Sequence, residues 1–213
     1  MKRYAFIIAV FFAVFLMIGT VQAGEGFYAS LNAGVGIADD ADVDFDHGYK
    51  AEFEMDEGMA VSYAMGGNLT EFFRAELELG YQEHDFDKAK LVVPGYGRGE
   101  SDISGDAAIY SLLVNGYADF KNTTIFTPFV TVGLGVAQVD VSDIGVPGYG
   151  TVLRADDDIV FAYQVGAGVG IEVHPRATID LKYRYFGTSD PEFDIADAEV
   201  SSHNLYAGFR VYF

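Results

Sequence analysis

Apolar and polar residues alternate along most of the chain from residue 27 onward. In FRAELELGY, for example, every second residue is apolar and the residues between them are charged or small. This period of two is typical of a β-strand with one apolar and one polar face. The pattern predicts eight strands: FYASLNAGVGI (27–37), MAVSYAMGGNL (59–69), FRAELELGY (73–81), YSLLVNGYADF (110–120), FTPFVTVGLGV (126–136), FAYQVGAGVGIEV (161–173), TIDLKYRY (178–185) and NLYAGFRVYF (204–213).

Two properties of these segments distinguish a membrane barrel from a soluble sandwich. Their apolar faces carry no charge over about nine to eleven residues, which is the length of a tilted transmembrane strand. The connections also alternate in length, with short links at 70–71, 121–125 and 174–176, and long ones at about 38–57, 84–105, 139–157 and 187–200. The sequence therefore predicts an all-β, eight-stranded, up-and-down antiparallel transmembrane barrel with short periplasmic turns and four long extracellular loops.

The first 23 residues have the features of a secretory signal peptide. Lys2 and Arg3 precede an uncharged apolar stretch, and the small residues that end at Ala23 fit a signal peptidase site. We therefore expect residues 1–23 to be cleaved and residues 24–213 to form one outer-membrane barrel domain. The chain has no cysteine, so neither a disulfide framework nor a lipoprotein anchor is expected.

Several segments resemble the small eight-stranded outer-membrane barrels of the OmpA transmembrane-domain and opacity-protein type. The matching segments are NGYADF (115–120), TPFVTVGLGV (127–136), FAYQVGAGVGIEV (161–173), LKYRYF (181–186) and NLYAGFRVYF (204–213). The resemblance implies a porin-family surface antigen of a Gram-negative outer membrane, in contact with lipid and lipopolysaccharide. That family includes structural anchors, adhesins, immune-evasion antigens and a few enzymes. Because this chain ends with a barrel strand, we expect no peptidoglycan-binding domain.

The last strand carries a further implication of the resemblance. Family members present their C-terminal strand and its final aromatic residue to the barrel-assembly machinery of the outer membrane. Phe209, Val211 and Phe213 occupy that place in this chain, and we expect them to act as an assembly signal.

The formal net charge of −19 comes mainly from the four long connections. In the first of them, Asp42, Asp44 and Asp46 have the opening spacing of an EF-hand, but His47 and Phe53 stand where that motif needs Gly and Glu. The mismatch disfavours a dedicated calcium site, so no metal or cofactor is predicted. Divalent cations shared with lipopolysaccharide, or a simply solvated acidic loop, are the alternatives. The acidic balance also disfavours nucleic acid as a partner.

Charged residues recur on the polar faces of the predicted strands, where they would point into the barrel. An eight-stranded barrel is just wide enough for side chains to fill it, so these charges should pair as a lumen network. In particular, we expect Glu76 and Glu78 to meet Lys182 and Arg184 near mid-barrel. A filled lumen is the main interpretation, and a narrow gated channel for ions or small solutes is the alternative. The full set is Arg74, Glu76, Glu78, Asp119, Glu172, Asp180, Lys182, Arg184 and Arg210.

The pentapeptide VPGYG occurs in both the second and the third long connection. Pro-Gly at its centre favours a tight turn, so each connection is predicted to extend as a hairpin tipped by Tyr96 or Tyr149. An exposed tyrosine on a rigid turn is a possible contact for a partner, while a convenient turn is the simpler explanation.

The best enzyme-like set is Glu199, Ser201 and His203, which share one face of a strand. Lipid-modifying barrels of this class use a Ser/His/acid set. However, alternate residues of one strand lie roughly 6–7 Å apart, too far for hydrogen-bond relays. The sequence thus predicts a non-enzymatic, monomeric surface protein with a structural or adhesive role. Its acidic loops would meet a host or extracellular ligand.

Overall fold

A computed structural model gives the fold. It describes residues 26–38, 41–45, 49–55, 57–93, 97–102, 106–142, 144–146, 150–153, 156–189, 192–193, 196–197 and 200–213. No helix among these residues is long and apolar enough to cross a membrane.

In the described part of the chain, eight long strands form a closed antiparallel barrel. Each strand pairs with its neighbours in chain order, and the last pairs with the first. The barrel strands are β1 (Phe27–Ala38), β2 (Glu57–Asn68), β3 (Phe73–Val93), β4 (Asp106–Asp119), β5 (Phe126–Val141), β6 (Asp156–His174), β7 (Ala177–Thr188) and β8 (Ser201–Tyr212). The all-β, eight-stranded barrel expected from the sequence is confirmed.

The seam between β1 and β8 closes the barrel. Its register runs from Tyr28 opposite Tyr212 to Ala38 opposite Ser202 without a shift. Beyond that ladder, the backbone N–H of Phe213 donates to the carbonyl of Phe27 over 3.0 Å. Every strand of the barrel thus has two hydrogen-bonded neighbours, which satisfies its backbone groups without a free edge.

Burial alternates along the strands as the sequence pattern requires. In β1 the apolar residues Leu31, Val35 and Ile37 are exposed on the outer wall, while Tyr28 and Asn32 are buried inside. A polar interior behind an apolar outer wall is the arrangement of a barrel that faces lipid. The outer wall and the lumen are therefore assigned correctly by the alternation.

Glycines on the lumen side make room for large neighbours. A side chain at Gly168 would meet the ring of Phe129 at 2.6 Å, and one at Gly133 would overlap the amide of Asn115. A side chain at Gly170 would meet Arg210 and Asp180, each at 3.1 Å. These glycines provide space for packed side chains in the lumen.

The two ends of the barrel differ in construction. At one end, short connections join β2 to β3, β4 to β5 and β6 to β7, and the chain termini of the barrel lie there too. We call this the turn end and the opposite one the loop end. At the loop end, seven further short strands occur among the described residues: Ala41–Phe45, Tyr49–Met55, Gly97–Asp102, Ile144–Val146, Gly150–Leu153, Glu192–Phe193 and Ala196–Asp197.

The long connections are more regular than the sequence indicated. Strand β3 continues past the barrel to Val93, where it pairs with Tyr49–Met55 on one side and with Gly97–Asp102 on the other. The first of these segments belongs to a hairpin with Ala41–Phe45, which also meets Ala196–Asp197. Residues 84–93 were expected in a loop, but pairing on both edges keeps their backbone in a sheet.

The lumen and the loop end as candidate sites

At the turn end, the lumen is filled by an arginine and its aromatic neighbours. Arg74 Nε donates to both carboxylate oxygens of Asp119, at 2.8 and 3.1 Å. Its guanidinium lies over the ring of Tyr117 at 4.1 Å and over that of Phe129 at 5.3 Å. Stacking and ion pairing together hold this buried cation, which would be costly to bury without a partner.

A second ion pair lies near the turn end, and its arginine also contacts the ring of Tyr28. Arg210 Nη2 donates to Asp180 Oδ1 over 2.9 Å. The guanidinium of Arg210 lies 5.3 Å from the centre of the Tyr28 ring, and that of Arg74 lies 5.6 Å from it. Two acid–base pairs thus flank one tyrosine at this level of the barrel.

At mid-barrel, one carboxylate holds two cations. Glu78 is fully buried, and its Oε1 accepts a 2.8 Å hydrogen bond from Arg184 Nη1. Its Oε2 lies 3.5 Å from Lys182 Nζ. Arg184 also donates to the Tyr206 hydroxyl and stacks on that ring at 4.6 Å. The contacts expected from the sequence between Glu78 and both cations are therefore present.

Glu76 does not belong to that group, which corrects the expectation that it meets Lys182 and Arg184. Its carboxylate instead accepts hydrogen bonds from Tyr117 Oη at 2.5 Å, Tyr28 Oη at 3.0 Å and Asn115 Nδ2 at 3.3 Å. Two phenols and an amide thus satisfy the charge in place of a cation.

Glu172 also departs from the expected lumen network. It is exposed at the turn end, where the register between β6 and β7 shifts between Glu172 and His174. Glu172 still pairs with Thr178, in the last regular pair before that shift, so it lies at the rim of the barrel and not in the packed lumen.

An apolar cluster inside the lumen was not predicted from the sequence. It lies on the loop-end half of β4 to β7, where the buried polar residues Ser111 and Thr188 are interspersed with it. We call it the apolar lumen cluster, and it consists of Ile109, Leu113, Ala137, Val139, Val160, Ala162 and Phe186. The available signal was LL at 112–113, because two adjacent leucines in an alternating strand must place one of them inside.

The opposite wall at this level is polar. Ser202 Oγ donates to Gln82 Oε1 over 2.9 Å, and Asn204 Nδ2 donates to Ser202 Oγ over 3.0 Å. All three side chains are buried. The loop-end half of the lumen is therefore apolar on one side and hydrogen-bonded on the other.

Two members of the enzyme-like set from the sequence lie on the outer wall. Ser201 and His203 are partly exposed, and Glu199 lies outside the described residues. His203 Nδ1 is 2.6 Å from the hydroxyl of Tyr183, and its ring also packs against Tyr185 with ring centres 5.3 Å apart. The imidazole belongs to an aromatic group on the outer wall.

The residues expected to signal assembly lie on the outer wall near the turn end. Phe209 and Phe213 are exposed, and Val211 is partly exposed. Their place on the lipid-facing surface of β8 suits recognition from the membrane, and their role in assembly stays a prediction.

The tyrosines at 96 and 149 lie outside the described residues. Both hairpins that they would tip are present: Val93 pairs with Gly97 in one, and Val146 pairs with Gly150 in the other. Within the described residues, no group of acidic, histidine or cysteine side chains is placed to hold a metal ion. The Asp42–Asp46 segment, whose side chains are not described, falls outside that search.

Comparison with known proteins places the chain in a family. The family described as "Outer membrane protein beta-barrel domain" matches residues 6–213. The outer membrane protein PagN of Salmonella typhimurium is 26% identical over 211 residues, which cover 89% of this chain and 82% of PagN. A putative adhesin of Rickettsia bellii is 26% identical over 162 residues, covering 68% of this chain and 71% of the adhesin.

Solved structures show the same fold. Neisserial surface protein A superposes with a TM-score of 0.57 at 20% identity, covering 88% of this chain and 97% of that structure. The outer membrane protease OmpT of Escherichia coli also gives 0.57, with the same coverage, but at 10% identity. At such identities the likeness concerns the fold alone. With the closed barrel and the match across residues 6–213, the chain is an outer-membrane protein that belongs to the outer membrane protein beta-barrel domain family.

Proposed function

We propose that this protein is an adhesive surface protein that uses its loop end to bind a partner outside the cell, and that it is not an enzyme. The observation that carries the proposal is the sheet at the loop end. There β3 continues beyond the barrel and pairs with strands from the first and second long connections. A paired sheet offers a partner a more fixed surface than separate loops, which lowers the entropy cost of binding.

The relatives support the same function. Those with informative names include an outer membrane protein and several putative adhesins from Rickettsia. The long connections also contain most of the acidic residues of the chain. We therefore expect the partner to present basic groups, and we expect salt to weaken the binding by slowing association.

The geometry of the outer wall supports a function other than catalysis. His203 is within hydrogen-bond distance of Tyr183 and packs against Tyr185, so its ring is engaged with aromatic neighbours of the wall. A Ser–His pair needs the two groups within hydrogen-bond reach, which residues two apart on one strand do not provide.

The orientation of the barrel is testable with introduced cysteines, because the chain has none of its own. We expect cysteines at Asp44 and Arg98, on the loop-end sheet, to react with an impermeant thiol reagent on intact cells. The sequence predicts the same for Tyr149 and Asp194. Cysteines at the turn-end positions Thr70, Asn122 and Pro175 should stay unreactive until the cells are lysed. Labelling of Asn122→Cys on whole cells would show that the barrel has the opposite orientation.

Adhesion is testable by removing the first-connection hairpin. We expect deletion of residues 41–55 to reduce the attachment of bacteria carrying the protein to cultured host cells to the level of bacteria without it. The barrel should still form, because this hairpin pairs with β3 only beyond the membrane-spanning part. Attachment is counted microscopically, and heat-modifiability on gels checks the barrel.

Thr70→Ala at the turn end serves as the control for that deletion. It removes a hydroxyl that accepts hydrogen bonds from the backbone of Phe72 and Phe73, far from the loop-end sheet. Attachment should stay at the wild-type level in this variant. If the hairpin deletion reaches the surface in normal amounts and still attaches fully, the proposed adhesive surface is wrong.

A further inference from the structure

Two kinds of side-chain packing fill the lumen, and they follow one another along the barrel axis. Ion pairs occupy the turn end and the middle, from Arg74 with Asp119 up to Arg184 with Glu78. The apolar lumen cluster follows on the loop side. On β7 this change occurs within two residues, because Arg184 and Phe186 are neighbours on the lumen face and both are fully buried.

A residue outside the barrel strands covers the apolar lumen cluster. Val200, directly before β8, packs against the cluster. Its carbonyl accepts two hydrogen bonds from Thr188, one from the backbone N–H at 3.0 Å and one from the hydroxyl at 3.3 Å. Thr188 follows Phe186 on the lumen face of β7, so Val200 is held directly over the cluster.

Apolar packing blocks ions by a different physical mechanism from ion pairing. An apolar constriction excludes water, and an ion cannot pass without its hydration shell or a replacement for it. Ion pairs can exchange partners, whereas packed apolar side chains have no alternative polar partner to offer an ion. A barrier of this kind does not depend on the charges below it.

From this arrangement we propose that the apolar lumen cluster, together with Val200 and the hydrogen-bonded Gln82, Ser202 and Asn204 of the facing wall, is a packed seal that closes the loop end of the barrel without needing the ion pairs. The ion pairs fill and stabilise the lumen, but they are not its gate toward the outside. Breaking them leaves the loop end closed, and breaking the apolar packing opens the lumen from outside down to its middle. This proposal does not depend on the adhesive role.

The seal can be tested by placing one thiol beneath it. Thr131 is 1% exposed and lies on the lumen side of β5, nearer the turn end than Ala137 of the cluster. Thr131→Cys, in the full-length protein reconstituted into sealed vesicles, is treated with a small impermeant thiol reagent. Asn122→Cys in a parallel preparation measures the fraction of turn ends that the reagent reaches.

We expect Thr131→Cys alone to react very slowly from the loop end. Adding Phe186→Ala or Val200→Ser should raise the rate about tenfold or more, because the population of open conformations grows as packing is lost. Because the Arg184 guanidinium lies 5.6 Å from the centre of the Phe186 ring, the ion-pair variant keeps a long side chain there. Adding Glu78→Ala together with Arg184→Met should leave the loop-end rate unchanged, since the apolar packing remains.

Phe161→Ala is the matched control for Phe186→Ala. It removes the same ring near the same end of the barrel, but Phe161 is on the outer wall and 50% exposed. Its reaction rate should equal that of Thr131→Cys alone. The proposal is overturned if the ion-pair variant speeds the reaction, or if folded Phe186→Ala and Val200→Ser barrels both react as slowly as Thr131→Cys alone. Heat-modifiability identifies the folded variants, and Leu113→Ala, in the same cluster, replaces Phe186→Ala if that barrel does not fold.

Discussion

Glu78→Ala should destabilise the barrel by roughly 3–5 kcal/mol, because it leaves two buried cations without their carboxylate. Arg184 Nη1 loses its 2.8 Å partner, and Lys182 Nζ loses the carboxylate oxygen that lies 3.5 Å away. The stacking of the Arg184 guanidinium on Tyr206 remains, but it supplies no opposite charge. Urea titration of the protein in lipid vesicles, followed by tyrosine fluorescence, measures the loss.

Removing Arg184 as well should be milder. In the double variant Glu78→Ala with Arg184→Ala, one unpaired buried cation remains in place of two, so the difference from Glu78→Ala reports the cost of the unpaired Arg184 charge. A matched comparison is Glu172→Ala, which removes an exposed acid at the turn end and should change stability little. If Glu78→Ala is no less stable than the double variant, the unpaired Arg184 charge has no measurable cost in the lumen.

Gly34→Ala should weaken or prevent closure of the barrel, at a cost of about 3 kcal/mol, the upper end of the usual range for overpacking. Gly34 lies on β1 at the seam, opposite Tyr206 of β8. A Cβ atom at this position would overlap the carbonyl oxygen of Leu205 and would lie 2.9 Å from the Cα atom of Tyr206. Both are backbone atoms of the neighbouring strand, so relief requires the strands to move apart. The fraction of heat-modifiable protein after refolding measures closure.

Gly116→Ala provides the contrast for that variant. Gly116 lies on the outer face of β4, and a side chain there would meet nothing within 4 Å. Replacing a strand glycine by alanine in open space removes backbone freedom from the unfolded chain and should be neutral or slightly stabilising. Equal refolding yields for the two glycine variants would show that the seam tolerates a methyl group at residue 34.

The sequence predicted the wall of the barrel correctly, because apolar and polar residues alternate there for a single reason: successive side chains of a strand point outward and inward in turn. Leu31 and Val35 face outward and Asn32 faces inward as the period of two requires, and the eight strands close in chain order. The meeting of Glu78 with Arg184 also followed from counting residues up from the turns. Both results depend on the geometry of the backbone, and the alternation of apolar and polar residues in the sequence follows that geometry directly.

Other features depend on where long side chains reach, and residue counting does not contain that information. Glu76 was expected beside Lys182 but is held by Tyr28 and Tyr117, whose hydroxyls extend into the lumen from other strands. Glu172 was expected inside, but its pair with Thr178 is the last regular one before the turn, so its side chain is exposed at the rim of the barrel. The apolar lumen cluster was missed because a polar lumen was assumed at every level.

At the loop end, hairpins were predicted from the repeated VPGYG, and both are present. The pairing of the second-connection hairpin with the first connection was not predicted, and the third-connection hairpin forms a separate two-stranded sheet. Pairing between distant segments such as 49–55 and 86–92 depends on three-dimensional proximity above the barrel, for which a single strand pattern carries no signal.

The seam between β1 and β8 has a consequence for the order of assembly. Seven of the eight strand pairs in the barrel join neighbours in the chain, so each of them can form as a hairpin from a local encounter. The pairing of Tyr28 with Tyr212 instead requires the two ends of the barrel sequence to find each other. Because the entropy of closing a loop rises with its length, and because pairings between distant residues slow folding, this pair should form last. Until then the curved sheet has two unpaired edge strands, and the pairing of β1 with β8 removes both edges in one step.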